Sequence, residues 1–291
     1  MKTTLLILLS IVLFSCKNPN QEIKNSKDTS LIVSKDTIIE NEIQDSVISD
    51  NEFDENYIPD GEEYIELVVR DLDSANIGVN FYPKGNYTLL KVKIRHEQER
   101  FQQRYLSADS IEKLAIIDSA SNYITKTLLN DIFPFWYGTP WDFNGYTEKP
   151  NNGVIACGYF VSTTLRDVGF NINRYHMAQQ YGLYEAMTLQ LKKDVIEIFK
   201  KDIDEIKTTF LQKLKPGLYF VGLDGHVGYI WINNEEVYFI HSNYMHNSVE
   251  LEYAETSEPF ISEIYIIADI SLNDSLTKKW ILNEEINVVR P

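Results

Sequence analysis

The chain has 291 residues, with 43 Asp and Glu against 27 Lys and Arg, for a formal charge of −16. Nucleic acid is thereby excluded as a partner, because neutralising phosphates requires clustered Lys and Arg. The five histidines and two cysteines show none of the Cys/His spacings of a zinc site, so neither metal nor cofactor is expected.

The first segment, MKTTLLILLSIVLFSC, places one lysine before an apolar run from Leu5 to Phe14 broken by Ser10. That run is too short to span a bilayer and has the length of a signal-peptide core. Its end, Leu13-Phe14-Ser15-Cys16, resembles the lipobox of bacterial lipoproteins, in which the cysteine is acylated and becomes the mature N-terminus. An ordinary cleaved signal is the plainer alternative. The resemblance implies a leader at residues 1–15, a lipid on Cys16, and an exported protein anchored to a membrane of the bacterial cell envelope. Residues 16–62 are polar and acidic without a sustained apolar period, which predicts an extended tether. The rest, 63–291, is long enough for a single domain with a substantial core.

Within that domain, Glu63–Arg70 and Tyr87–Arg95 have the β-branched, partly alternating pattern of strands. Ser107–Asn130 predicts a helix, with Ser107 or Asp109 as its cap. The stretch FPFWYGTPWDFNGYTEKPNNG then predicts a loop whose many rings either plug a core or wall a ligand cleft. A helix follows over Cys157–Val168, and residues 175–214 read as mostly helical. Pro216-Gly217 breaks that run, and strands are expected at Leu218–Val221, His226–Ile232, Val237–His241, Ile261–Ala268 and Trp280–Val289. Helices first and an antiparallel meander after them define an α+β fold.

Cys157 is the residue that asks for a function. With Cys16 committed to lipid, it has no partner for an intrachain disulfide in an oxidising compartment. At helical spacing it shares a face with Phe160, Val161, Thr164, Leu165 and Val168, so the thiol points inward. A small buried hydrophobe would sit that way too. However, the Asn152-Gly153 turn puts Cys157 in the first helical turn, where the helix dipole favours thiolate and backbone N–H groups are free to receive an oxyanion.

The base is sought in GHVGYIWINNEEVYFIHSNY. A two-residue loop at Asn233-Asn234 pairs Ile232 with Glu235, Ile230 with Val237, and His226 directly with His241. A four-residue loop would bring Asn243 opposite His226 and leave His241 on the same face; a three-residue loop would turn His241 away. The expected roles are Cys157 as nucleophile, His226 as base and His241 as the group that orients it. His96, His176 and His246 have no comparable placement.

Together these pieces resemble the NlpC/P60 family of cell-wall cysteine peptidases. A cysteine heads a helix in ACGYFVSTTLRDVGF, ended by Gly169. Pro216-Gly217-Leu218-Tyr219-Phe220 leads to His226-Val227-Gly228, and Ile240-His241 closes the pattern. The resemblance covers roughly residues 130–245. It implies a papain-like core with the cysteine helix packed on an antiparallel sheet, here with extra N-terminal strands and a helical insertion at Lys192–Leu214. It also implies hydrolysis of an amide bond in peptidoglycan stem peptides through a thioester, without metal or cofactor. Substrate-binding positions would be Trp136 and Tyr137, nearest to the family's aromatic–Gly motif, with Trp141 and Gly158. The family's usual Asp-Cys-Ser-Gly is not matched, since Ala156 and Gly158 flank Cys157; that leaves open the same chemistry on a changed substrate, a related amidase of the CHAP type, or another thiol acyl-transfer reaction. The competing reading is a non-catalytic envelope lipoprotein whose papain-like domain binds peptides or a protein partner; a structural cysteine is the blandest.

Overall fold

The computed structural model of the chain describes residue 72 and residues 77–191, 194–199 and 203–291, the side chains of 203 and 204 excepted. The leader, Cys16, the acidic tether and the strand expected at 63–70 lie outside these residues. Among the described residues no helix is long and apolar enough to cross a membrane.

Helix α1 (Tyr87–Ser107) stands where a strand was expected over Tyr87–Arg95. The Asn86 side chain starts it by accepting from the N–H groups of Thr88 and Leu89, and it buries Ile94, Gln98, Phe101 and Tyr105. Those four are three and four residues apart, so the helical period of the long segment overrides the alternation seen in its first nine residues. Helix α2 (Ser110–Thr127) opens on a capping box in which Asp109 and Glu112 satisfy each other's backbone N–H groups. A π-helical turn (Leu128–Ile132) and a four-residue turn, α3 (Phe133–Trp136), carry it into the stretch expected to be loop.

After α4 (Cys157–Asp167) come α5 (Arg174–Ala178), α6 (Gly182–Leu189), strand β1 (Ile196–Phe199) and α7 (Ile203–Lys213). The expected helical run over 175–214 is therefore interrupted by a strand. Pairing with β6 (Ile264–Asp269) buries Ile198 opposite Tyr265, and this tertiary contact outweighs the local helical pattern. The strand expected over Trp280–Val289 is corrected as well. Asn273 caps α8 (Asp274–Ile281), accepting from Leu276 N, and the stretch beyond it holds one isolated bridge, Ile172 to Ile286. Trp280 explains the difference: its fully buried ring donates Nε1–H to Val168 O at 2.7 Å and meets Phe101 and Tyr123, which locks the segment as a helix against α1 and α2.

β2 (Gly217–Gly222), β3 (Val227–Asn233), β4 (Glu236–Asn243) and β5 (Ser248–Tyr253) complete a six-stranded sheet in the order β1-β6-β2-β3-β4-β5, antiparallel throughout. The fold is α+β. Side-chain alternation divides the core between the two faces. Phe220, Tyr229 and Ile240 join the large core with the helices, while Val221, Ile230 and Phe239 pack on the other side with Phe210 of α7 and Phe260.

Candidate active site

Cys157 begins α4, with Ala156 as an N-cap that contributes no side-chain hydrogen bond. Phe160, Val161, Thr164, Leu165 and Val168 are fully buried, as helical spacing requires, and Cys157 itself is half-buried and in no disulfide. Two contacts fix the helix on the sheet. The Tyr229 hydroxyl of β3 donates to Val161 O at 3.0 Å and lies 2.7 Å from Thr164 Oγ1. Ser242 of β4 donates Oγ–H to Ile155 O at 2.8 Å, two residues before the cysteine. The leading end of α4 is thus tied to the residue next to His241.

The β3–β4 turn falls one residue later than Asn233-Asn234. Asn234 and Glu235 form it with φ of 50° and 63°, the positive pair that a tight hairpin needs. Ile232 accordingly pairs with Val237, and Ile230 with Phe239. The register slides by two, so the predicted direct pairing of His226 with His241 is replaced by a diagonal one. A slip of two keeps both rings on one face, where a slip of one would have separated them. Gly228 takes the place beside His241. A Cβ there would come within 2.9 Å of His241 Cβ and 2.6 Å of the Phe239 ring, so glycine is what lets the imidazole lie down.

His226 Nε2 is 2.7 Å from His241 Nδ1, and His241 Nε2 is 2.8 Å from Glu252 Oε1 on β5. Phe239 stacks on His241 at 4.0 Å between ring centroids. His226 and His241 are both buried, and burial pushes both imidazoles below their ordinary range; the neighbouring His241 adds to the effect at His226, and Glu252 opposes it at His241. Burial would raise the Glu252 carboxyl, but its hydrogen bond and charge interaction with His241 outweigh that and hold it low. The ground state is therefore two neutral rings beside a carboxylate.

Tyr244 is a neighbour of both halves of the site. Its ring stands edge-on to His226 at 5.3 Å, and its phenol is pushed up by burial and then by the charge of Cys157. Trp141, half-buried, lies 6.2 Å from the same ring. Of the expected substrate-binding residues only Trp141 lines this region. Trp136 and Tyr137 are core: Trp136 is fully buried, meets Phe160 edge-on and donates Nε1–H to Tyr87 at 2.8 Å, and Tyr137 is 2 % exposed. Gly158 is also buried, and a Cβ on it would meet Ala178 O at 2.8 Å and Glu185 Oε1 at 3.2 Å. Its lack of a side chain accommodates α5 and α6, leaving it no surface for a ligand.

Glu252 and Tyr244 were missed in the sequence. The signal for Glu252 was there: SVELEY alternates apolar Val249 and Leu251 with polar Glu250 and Glu252, the period of a strand, and it forms β5. His246, Glu250 and Glu252 each bring one potential ligand atom within 4.8 Å of the others, a grouping the dispersed histidines did not predict. Those atoms are engaged already, His246 Nδ1 with Glu250 Oε2 at 2.9 Å and Glu252 with His241, and the group is a hydrogen-bond network. Comparison with family models, curated proteins and solved structures returns no match.

Proposed function

We propose that the chain is a cysteine hydrolase of the bacterial cell envelope with a papain-like, NlpC/P60-type core, acting on an amide bond of peptidoglycan stem peptides. The observation that carries this reading is the 2.7 Å contact between His226 and His241 at the end of the sheet to which the Cys157 helix is tied. Nucleophilic acyl transfer needs a thiol at a helix start and an oriented imidazole, and the chain supplies both: Cys157 heads α4, and His226 is held by His241.

In the proposed reaction His226 takes the proton of the Cys157 thiol, and the sulfur attacks the amide carbonyl to form the S–C bond. The tetrahedral oxyanion collapses as the C–N bond breaks, and His226 returns the proton to the leaving amine. Water, deprotonated by His226, then attacks the thioester; its S–C bond breaks and releases the carboxylic acid and the thiol. His241 keeps the base in position. Trp141 and Tyr244 offer rings against which a peptide can rest. A lipid on Cys16 would hold the enzyme at the membrane, with residues 16–62 as spacer.

Mass spectrometry of muropeptides digested by the soluble form lacking residues 1–16 tests the proposal, with Cys157→Ala as control. Cleavage by the parent and not by the control is expected; intact muropeptides in both sink it. Burial of Gly158 and the absence of a polar side chain at Ala156 favour a second reading, a domain that binds envelope peptides without cutting them. In that case Cys157 would resist a thiol-reactive probe at neutral pH.

A further inference from the structure

Glu252 lies beyond residues 130–245, the part of the chain that carries the family resemblance, yet it completes a line of three side chains. His226 Nε2 faces His241 Nδ1 at 2.7 Å, and His241 Nε2 faces Glu252 Oε1 at 2.8 Å. We infer that Glu252 is the positioning residue of the site, fixing the tautomers of both histidines so that His226 presents a bare Nδ1 as the base. An ionised carboxylate has only acceptors, so the proton of His241 must sit on Nε2. His241 Nδ1 then carries a lone pair and can only accept, which places the proton of His226 on its own Nε2. The remaining nitrogen, His226 Nδ1, is left unprotonated. One carboxylate thus orders two rings in series, and it stabilises the imidazolium that forms when His226 takes a proton, without taking that proton itself.

The surroundings support this order. Phe239 clamps His241 from one side, and both rings are buried, so no bulk water competes for the three nitrogens concerned. Glu250, directly opposite His241 in the β4–β5 ladder, is occupied elsewhere: it accepts from Ser248 Oγ at 2.7 Å and Asn243 Nδ2 at 3.2 Å, and meets His246 at 2.9 Å. Glu252 is the carboxylate that reaches the ring.

The inference rests on the hydrolase reading only for its consequence in catalysis, and it is tested without a substrate. Long-range 1H–15N spectra of the histidine rings in the full chain, at a pH where both are neutral, should show protonated Nε2 and bare Nδ1 on His226 and on His241. Glu252→Gln offers His241 a donor as well as an acceptor. It should move protons onto the Nδ1 atoms and slow alkylation of Cys157 by iodoacetamide by about 10²-fold or more. Glu250→Gln should leave spectra and rate as they were. Protonated Nδ1 on either ring of the unaltered protein overturns the inference, and that spectrum decides even if Glu252→Gln fails to fold. So does a Glu252→Gln protein with unchanged tautomers and an unchanged alkylation rate. Intact muropeptides alongside the expected spectra would defeat the hydrolase reading and leave the assignment of Glu252 standing.

Discussion

His226 and His241 meet nearly at right angles, ring planes 81° apart, through nitrogens separated by 2.7 Å. One ring edge is therefore spent on the other, and Nδ1 is the remaining nitrogen of His226. Replacing His226 by alanine is expected to lower the rate of Cys157 alkylation at neutral pH by about 10²–10⁴-fold, the usual contribution of a positioned base. The measurement is mass-spectrometric labelling against time; labelling at the parent rate would remove His226 from the mechanism.

Acid should destabilise this site. Burial holds both imidazoles below their ordinary value of 6.5 in the folded chain. As pH falls through that value the unfolded chain takes up protons that the folded one still refuses, so stability is complete above it and declines below it. The depressed Glu252 carboxyl works in the same direction at lower pH. Asp269 opposes them: burial pushes it up to about 6 from 3.8, so its contribution is present at low pH and is lost as pH rises across that interval. Urea unfolding across the pH range should show an acid limb that flattens in His226→Gln, while Asp269→Asn removes the opposing slope. An acid limb unaltered in His226→Gln would refute the account.

The two tryptophans of the aromatic stretch separate in their effects. Trp136 fills the core, so Trp136→Ala should cost about 3–5 kcal/mol of unfolding free energy. Trp141 lies half-buried beside Tyr244, and Trp141→Ala should change stability by only about 1 kcal/mol while weakening peptide binding. Denaturant titrations and a binding isotherm on the same two proteins check both halves.

Gly158 is a packing residue, and adding one methyl group shows it. The new Cβ would press on Ala178 O at 2.8 Å, whereas a Cβ at Gly225 meets nothing within 4 Å. Gly158→Ala should lower stability by about 1–3 kcal/mol, and Gly225→Ala should be close to neutral. Equal effects in thermal unfolding would contradict the packing argument.

The parts of the site legible beforehand were those set by local chemistry. Pro216-Gly217 and the Asn-rich turn bracket strands in the right places, and the apolar spacing after Cys157 describes the buried face of α4, which ends at Asp167, one residue before the expected end. The turn was misplaced by one position because Asn233, Asn234 and Glu235 offer two adjacent frames; cross-strand packing at Gly228 and Phe239 chooses between them. Other errors arose where partners distant in sequence decide the outcome. YTLLKVKIR alternates within a short window but belongs to a helix that packs against α8. Ile196–Phe199 sits in a charged, helix-like run yet finds β6. The aromatic stretch looked uniform, and only burial distinguishes Trp136 and Tyr137 from Trp141. Glu252 escaped because no motif ends with it.

The strand that carries Glu252 is an outer border of the sheet, and residues 138–141 run alongside its start, at 247–249. Gly138 and Trp141 donate to Val249 O and Asn247 O, and Val249 N returns a bond to Thr139 O. Where the border is zipped by its own chain, at 247–249, a foreign segment cannot pair as an additional ribbon, which shortens the edge open to fibre-like self-assembly. A peptide arriving at that end of the strand finds the Trp141 segment there in place of unpaired backbone.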